Sequence, residues 1–520
     1  MKKNLLLLSA IWLLASAVFP QNAQDGFDAV RLSQTTQLSG TSRYISMGGA
    51  FTALGEDVSA INQNPAGLGL YKYMEISVTG DYQSQIDNFS WNLSRTKEKN
   101  TAFHLNNFAL VLSNSKNRRL HSAFGLSYNR LQSFYRSGTT TGASQLSSLT
   151  DFIAYRTTEA GYTENSLRTR DGYDPLAEGV SVLSVWGYNS NLINPQINPS
   201  TGTTNWKSLL LNNETITPTY TFCEQGYADR YSIAYGLNIQ NELCMGISLG
   251  LRDIKYSKSS DYSEAFSGNG DLMLRNTLST SGLCADLKFG FIFLPFNFLR
   301  VGISYHSPTF YFLQDEYSSS LFYDISFNGN PQSNTFSLPV EKEKYRIQTG
   351  STYTAGLAFL IRKSAIFSFD FQYEGFRDMR LYDAEGFTQV YTDVNKDINN
   401  DFNGVYTIRF GAEYKPVSTF SMRFGYNYIT SATQPSAYRW RKTNTTRMDN
   451  DYFLDSSSSG FTGGIGWQSS HWNIDFAFIS GSKKQALYTY ADENLVPASL
   501  KTNNTQLYLT VGFKFNKDSD

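Results

Sequence analysis

Over residues 505–515 the chain alternates without a slip. Leu507, Leu509, Val511, Phe513 and Phe515 take one parity; Gln506, Tyr508, Thr510, Gly512 and Lys514 take the other. Successive side chains of a strand point to opposite faces, so this segment has one apolar face and one mostly polar face. A strand of that kind, ending on an aromatic near the C-terminus, suits the closing strand of a transmembrane β-barrel with lipid outside and a polar lumen inside. A strand of a soluble sandwich alternates in the same way. Recurrence and loop arrangement decide between the two.

The pattern recurs along most of the chain. Phe367, Phe369, Phe371 and Tyr373 alternate with Ser368, Asp370, Gln372 and Glu374. Leu283, Ala285, Leu287, Phe289, Phe291 and Phe293 alternate with Cys284, Asp286, Lys288 and Gly290. Further runs begin near Met74, Phe108, Ser122, Tyr231, Leu243, Leu299, Tyr353, Tyr406, Phe420, Ser459 and Trp472. The total is about fourteen strands, most close to the roughly 9–11 residues a tilted strand needs to cross hydrocarbon. Between them, short links at 114–119, 241–242, 295–297, 362–364, 415–418 and 469–471 alternate with long polar stretches at 83–100, 134–228, 256–273, 307–344, 377–403, 431–458 and 482–503. Short inner turns and long outer loops are the habit of outer-membrane barrels, and an even strand count puts both termini in the periplasm. A secreted soluble β-protein has no reason to sort its loops by side.

The N-terminus places the chain in that compartment. Lys2 and Lys3 precede an apolar run from Leu5 to Leu14 and then Ala15-Ser16-Ala17, a signal peptide with an A-x-A site. The expected division is a signal peptide over 1–17, a plug over 18–72, a barrel over 73–515 with a long extracellular loop at 134–228, and a periplasmic tail at 516–520. Cleavage after Ala23 is the alternative to Ala17. A mean hydropathy of −0.35 excludes a bundle of membrane helices but suits a barrel, where only alternate residues meet lipid. With a net charge of −1 the chain has no basic footprint for nucleic acid. Cys223, Cys244 and Cys284 lack metal-ligand spacing, and Cys244 and Cys284 fall on the lumen parity of neighbouring strands at different heights. No cofactor and no metal are expected.

Alternation stops in the segment ahead of the first strand. Gly48-Gly49-Ala50-Phe51 permits positive φ or close backbone approach, Asp57 is placed to cap a short helix through Asn62, and Asn64-Pro65-Ala66-Gly67 ends it. About fifty residues of mixed short elements belong inside the lumen, since a barrel of this size must be filled if it is not to leak. At these residues the chain resembles the FadL/OmpP1/TodX family of outer-membrane transporters for hydrophobic compounds. The likeness lies in the Met47–Ala53 run Met-Gly-Gly-Ala-Phe-Thr-Ala and in Asn64-Pro65-Ala66, set before a barrel. It implies an all-β, antiparallel transmembrane barrel of about fourteen strands closed by an N-terminal hatch. Gly48, Gly49, Ala50, Phe51, Asn64, Pro65 and Ala66 would belong to that hatch. It further implies uptake of fatty acids or aromatic hydrocarbons, with a sideways exit beside a kink in the third strand. Here the longest loop follows strand three, which carries no Pro or Gly beyond Gly125.

The long loop has material for an apolar ligand groove. Val182, Val185, Trp186, Trp206 and Leu209 lie in two stretches too apolar for free loops, and the same residues would serve to pack the loop onto the barrel rim. Arg252, Asp286, Lys288, Arg300, Asp370, Glu374, Arg409, Glu413, Arg423 and Asp475 fall on the lumen parity, and their mixed signs predict an ion-paired network bracing strands and plug. An enzyme is not expected: His104, His121, His306 and His471 accompany no nucleophile motif. The expected partners are outer-membrane lipid and a hydrophobic small molecule, bound by a monomer. The alternative is a plugged structural or surface-binding barrel, of adhesin or haem-binding type, without transport.

Overall fold

The computed structural model describes residues 24–515 apart from 36, 118–119, 176–177, 198–202, 212, 269, 363 and 440–446. The expected signal peptide and the tail at 516–520 lie outside them. Three short helices come first: α1 (Gly26–Ser33), α2 (Ser42–Ser46) and α3 (Ala60–Gln63), followed by a 3₁₀ turn over Pro65–Leu70. The wall opens with β1 (Met74–Trp91), β2 (Ser94–Asn117), β3 (Leu120–Ser133) and β4 (Arg136–Thr141). A cap interrupts it, made of α4 (Leu149–Glu159), α5 (Glu164–Leu167), α6 (Val182–Asn189) and the hairpin β5 (Ile193–Ile197) and β6 (Thr204–Ser208).

The wall resumes with β7 (Ile216–Ile239), β8 (Leu243–Phe266), β9 (Gly270–Phe296), β10 (Leu299–His306) and β11 (Phe310–Phe327). Then come β12 (Asn330–Gln348), β13 (Thr352–Ile361), β14 (Ala365–Glu374), β15 (Arg380–Asp383) and α7 (Thr392–Asp401). It ends with β16 (Val405–Val417), β17 (Phe420–Ile429), β18 (Tyr452–Gln468), β19 (Trp472–Tyr488) and β20 (Ala498–Phe515).

These strands make fourteen antiparallel staves. One stave is β3 continued by β4, since both pair with β7. The pairs β10/β11 and β12/β13 form two more, broken at 307–309 and 349–351. The barrel closes where β20 pairs with β1 from Met74↔Phe515 to Ser90↔Ser499. Closure leaves no open edge in lipid, and a spanning sheet cannot tolerate one. The outward parity is a belt of exposed Phe, Leu and Ile, among them Phe291, Phe369, Phe424 and Leu509, while Asp286, Asp370 and Thr510 on the other parity are buried. A belt of that size facing outward belongs in hydrocarbon, so the chain is a transmembrane barrel.

Two boundaries differ from the sequence expectation. Residues 83–100, 256–273 and 307–344 are hairpin extensions of the wall, not loops, with tight turns such as Asn92 and Asn328-Gly329 at positive φ. The long excursion spans 142–215, because β4 and the first half of β7 remain in the sheet. Period-two hydropathy reports only where one face meets lipid. Above that level both faces are polar or covered, so the ladder continues after the pattern has faded.

The first described helix lies high in the lumen. α1 sits in the lumen toward the long-loop end, with Phe27 against Phe402 (5.3 Å between ring centroids) and Tyr452 (5.1 Å). Phe515, paired with Met74, lies at the short-turn end. The two described ends therefore sit at different levels, and the termini expected in the periplasm lie outside the described residues.

Candidate functional site: the plug and the chamber above it

The plug is built by capping. Thr41 Oγ1 accepts the Tyr44 N–H at the start of α2 (3.1 Å) and donates to Asp57 (2.9 Å), which also accepts the Ser59 N–H (2.9 Å). Burial pushes the Asp57 carboxyl above its usual range, against the pull of Arg43 and these hydrogen bonds. α3 begins at Ala60, so Asp57 fastens the turn before that helix and is not its N-cap. Gly48 and Gly49 take φ of 65° and 77°, the left-handed region in which a side chain is strained. Pro65 opens the 3₁₀ turn, where its missing N–H costs nothing, and Asn64 Oδ1 accepts the Ala66 N–H (3.1 Å).

What seats the plug is a lumen wall stripped of side chains. Asn64 Nδ2 donates to Thr52 O (2.6 Å) and lies 3.3 Å from Phe291 O on β9 and 3.4 Å from Ile303 O on β10. A Cβ at Gly290 would fall on Asn64, at Gly246 on Pro65, at Gly302 on Thr52, and at Gly425 on Gly48. Gly236 meets the backbone of Gly69 and Pro65 in the same way. Plug backbone thus touches wall backbone over several staves. Asp370 on β14 takes the N–H groups of Phe51 (2.9 Å) and Thr52 (3.0 Å) and the Thr52 hydroxyl (2.7 Å). Ala50 is fully buried beside them. The sequence-predicted hatch residues are therefore brought together. The wall glycines were missed, although their signal was present: glycine recurring on the polar parity of successive strands.

Most of the lumen charges form the expected braces. Glu413 receives Arg43 of the plug (3.0 Å) and Arg423 (2.6 Å), and Arg423 continues to Asp475 (2.5 Å). Asp286 is held by Arg230 (2.7 Å) and Arg252 (3.2 Å). Lys288 donates to Asn62 O (2.5 Å) and Arg300 to Leu54 O, so both tie wall to plug. Arg230 escaped sequence reading because the alternating run starts one residue after it. A second cluster fixes α1. Arg439 bonds Asp25 (2.5 Å) and Asp28 (2.8 Å), and Arg447 bonds Asp28 (2.9 Å) and Asp449 (2.6 Å).

In the cap, the loop residues read either as a groove or as rim packing take the packing role. Val182, Val185, Trp186 and Trp206 are at most 7% exposed and Leu209 packs against them, all in one apolar core with Trp91, Phe222, Leu274 and Leu321 of the wall. The two apolar stretches meet, as α6 and β6, and pack the cap onto the rim. Once both faces of that contact are apolar, burying them is worth more than leaving either wet.

Beside α1, toward the long-loop end of the lumen, lies a chamber of about 280 Å³, lined by α1, β1, β3, β4, β7, β8 and β17–β20. Its wall includes 132–136, where β3 gives way to β4. There the sheet is incomplete. The β2–β3 ladder runs only from Asn117↔Leu120 to Asn107↔Asn129. Above it β2 and β4 are joined through side chains, by Asn100 Nδ2 to Ser137 O (3.2 Å) and Thr96 Oγ1 to Thr139 O (2.7 Å). The plug backs this seam: Gly40 N donates to Asn106 (2.9 Å), and Ser39 accepts from Asn129 (3.1 Å).

No protein-family model and no curated protein sequence matches the chain. Its structure resembles that of a FadL homologue from Pseudomonas aeruginosa, with a TM-score of 0.52 at 11% identity over 92% of this chain and 99% of that one. The toluene transporter TodX of P. putida gives a TM-score of 0.50 at 12% identity over 92% and 100%. Fourteen closed staves around an N-terminal plug thus give this chain the fold of the FadL- and TodX-type barrels.

Proposed function

We propose that the protein is an outer-membrane channel for uptake of hydrophobic small molecules, of the fatty-acid or aromatic-hydrocarbon class, gated by the plug. The observation that carries this reading is the chamber beside α1, whose lining includes the stretch 132–136 above the point where β2 and β3 stop pairing. An apolar solute gains nothing from an aqueous pore. A seam closed by side chains offers a sideways route into lipid that no fully laddered wall provides. The toluene transporter among the similar structures supports the same class of cargo. In this orientation the short turns face the periplasm and the cap faces outward. Gating assigns Asn64, Pro65 and Ala66 to holding the plug against β9 and β10.

Uptake of labelled fatty acid and of toluene into liposomes, with and without the protein, tests the proposal. Faster entry that changes severalfold in the Pro65→Leu, Asn64→Ala double variant is expected. Entry equal to that of empty liposomes would favour a plugged surface-binding barrel, which the tightly packed cap also fits.

A further inference from the structure

On the outside of the wall, one arc separates its charges by face. Over β18, β19, β20, β1 and β2 the carboxylates all take the lumen parity: Asp455, Asp475, Glu75, Asp81, Asp87 and Glu98. The outward parity of the same arc carries Arg95, Lys97 and Lys99 on β2, Lys501 on β20 and Lys484 on β19, all exposed. These five make no ion pair among the described residues. Lys484 stands directly opposite Lys501, and like charges opposed across two strands destabilise the pair. On the far wall outward cations and carboxylates are mixed: Arg275 bonds Asp261 (2.7 Å) and Lys342 bonds Glu316 (2.7 Å). The missing counter-charge is therefore a property of this arc, not of the rim in general.

Register sets its level. Tyr82 and Phe103, with rings 4.7 Å apart, share one row with Leu507 and Phe478 near the top of the lipid belt. Lys97, Lys501 and Lys484 share another row, with Asn88 between Lys97 and Lys501. The second row lies six residues farther toward the long-loop end, from Phe103 to Lys97, Leu507 to Lys501 and Phe478 to Lys484. Six residues of strand span about 20 Å, or about 15 Å of height at a tilt near 40°. The polar layer on either side of a phospholipid bilayer is only roughly 5–8 Å deep. A lipid whose head is itself a phosphorylated sugar reaches the row; an ordinary phospholipid falls short of it.

A groove adjoins the row. β17 ends at Ile429 while β18 and β19 continue toward the long-loop end. The step leaves a groove of about 910 Å³, with Lys484 and Ser456 on one bank and Tyr373, Tyr406 and Arg377 on the other. Arg377 donates to the neutral Asn399 (3.3 Å), so its charge is also unmatched there. Tyrosine faces and hydroxyls suit a sugar, and ammonium and guanidinium groups suit phosphate.

We infer that this arc is a docking surface for a phosphorylated glycolipid of the outer leaflet, with its phosphates on the Lys97–Lys501–Lys484 row and its sugars in the adjoining groove. Anionic head groups attract lysine and arginine held at their level, which supplies the counter-charge the arc lacks. The inference goes beyond the uptake reading and takes from it only the orientation with the cap outward.

Native mass spectrometry of the purified protein in a non-ionic detergent tests it, by titration with bisphosphorylated lipid A, its dephosphorylated form and phosphatidylglycerol. Tenfold or greater preference for the phosphorylated lipid A over both others is expected. A Lys97→Gln, Lys484→Gln, Lys501→Gln variant should keep its heat-resistant barrel, since all three side chains are exposed, and lose the preference. If that variant does not assemble, the Lys97→Gln, Lys501→Gln pair gives the same reading. Dephosphorylated lipid A binding as tightly as the parent form overturns the inference, and so does an unchanged preference in a folded variant. Phosphatidylglycerol binding equally well would make the row a patch for any anionic lipid and would overturn it too. Uptake is judged separately, because binding in detergent requires no transport. Lipid A selection by a protein that moves nothing into liposomes would sink uptake alone, and uptake without selection would sink the docking surface alone.

Discussion

The carboxylate of Asp370 accepts both the backbone N–H of Thr52, at 3.0 Å, and its hydroxyl, at 2.7 Å. The two residues are 318 positions apart. A wall strand thereby caps a turn of the plug, much as a side chain caps a helix.

Removing that cap should loosen the plug while leaving the wall intact. Asp370→Ala strands the Phe51 and Thr52 donors in a buried site, at about 1–3 kcal/mol each. Single-channel recordings in planar bilayers should show conductance bursts absent from the parent. A variant as silent as the parent would mean that Asp370 does not hold the plug.

Wall glycines offer a second handle. Gly246→Val puts a branched side chain where the Pro65 backbone lies, and backbone cannot swing aside as a flexible side chain can. The barrel should still assemble, since Gly246 pairs through its backbone with Gly236 and Gly290. Cells carrying the variant should become sensitive to large antibiotics that the outer membrane excludes. Unchanged sensitivity at normal expression would show that the contact is dispensable.

Arg439 should anchor α1. Arg439→Gln leaves Asp25 and Asp28 with less compensation in a buried site, a change that costs about 3–5 kcal/mol when a buried ion pair loses one member. Hydrogen exchange over Gly26–Ser33 should speed up by two to three orders of magnitude, with little change in β7–β9. Uniform protection across α1 would assign the anchoring to Arg447 and the aromatic contacts instead.

Orientation can be checked directly. In a Cys223→Ser background, Asn399→Cys on α7 should react with an impermeant maleimide in intact cells, whereas Glu242→Cys at a short turn should react only after lysis. The opposite labelling pattern would invert the barrel in the membrane.

The sequence by itself determined the barrel, its strand number and the existence of a plug. Period-two hydropathy is a local property of each strand: Phe367, Phe369 and Phe371 must face lipid wherever the strand sits. The plug motif was legible for the same reason, since Gly48-Gly49 and Asn64-Pro65 impose local backbone geometry. The lumen ion network could be read as a class, because charge on the inward parity has nowhere else to go. Its individual partners could not. Which glycine meets which plug residue, and that Arg439 reaches Asp25 across 414 positions, follow only from closure, which sets register and height all the way round. The role of the cap stayed open for a related reason. Apolar residues in a loop look alike whether they line a groove or form a core, and only the facing wall residues Trp91, Phe222 and Leu321 decided for a core. The seam between β2 and β3 has no local signal at all: it exists because two strands that pair near the short turns diverge above Asn107, and divergence is a relation between strands.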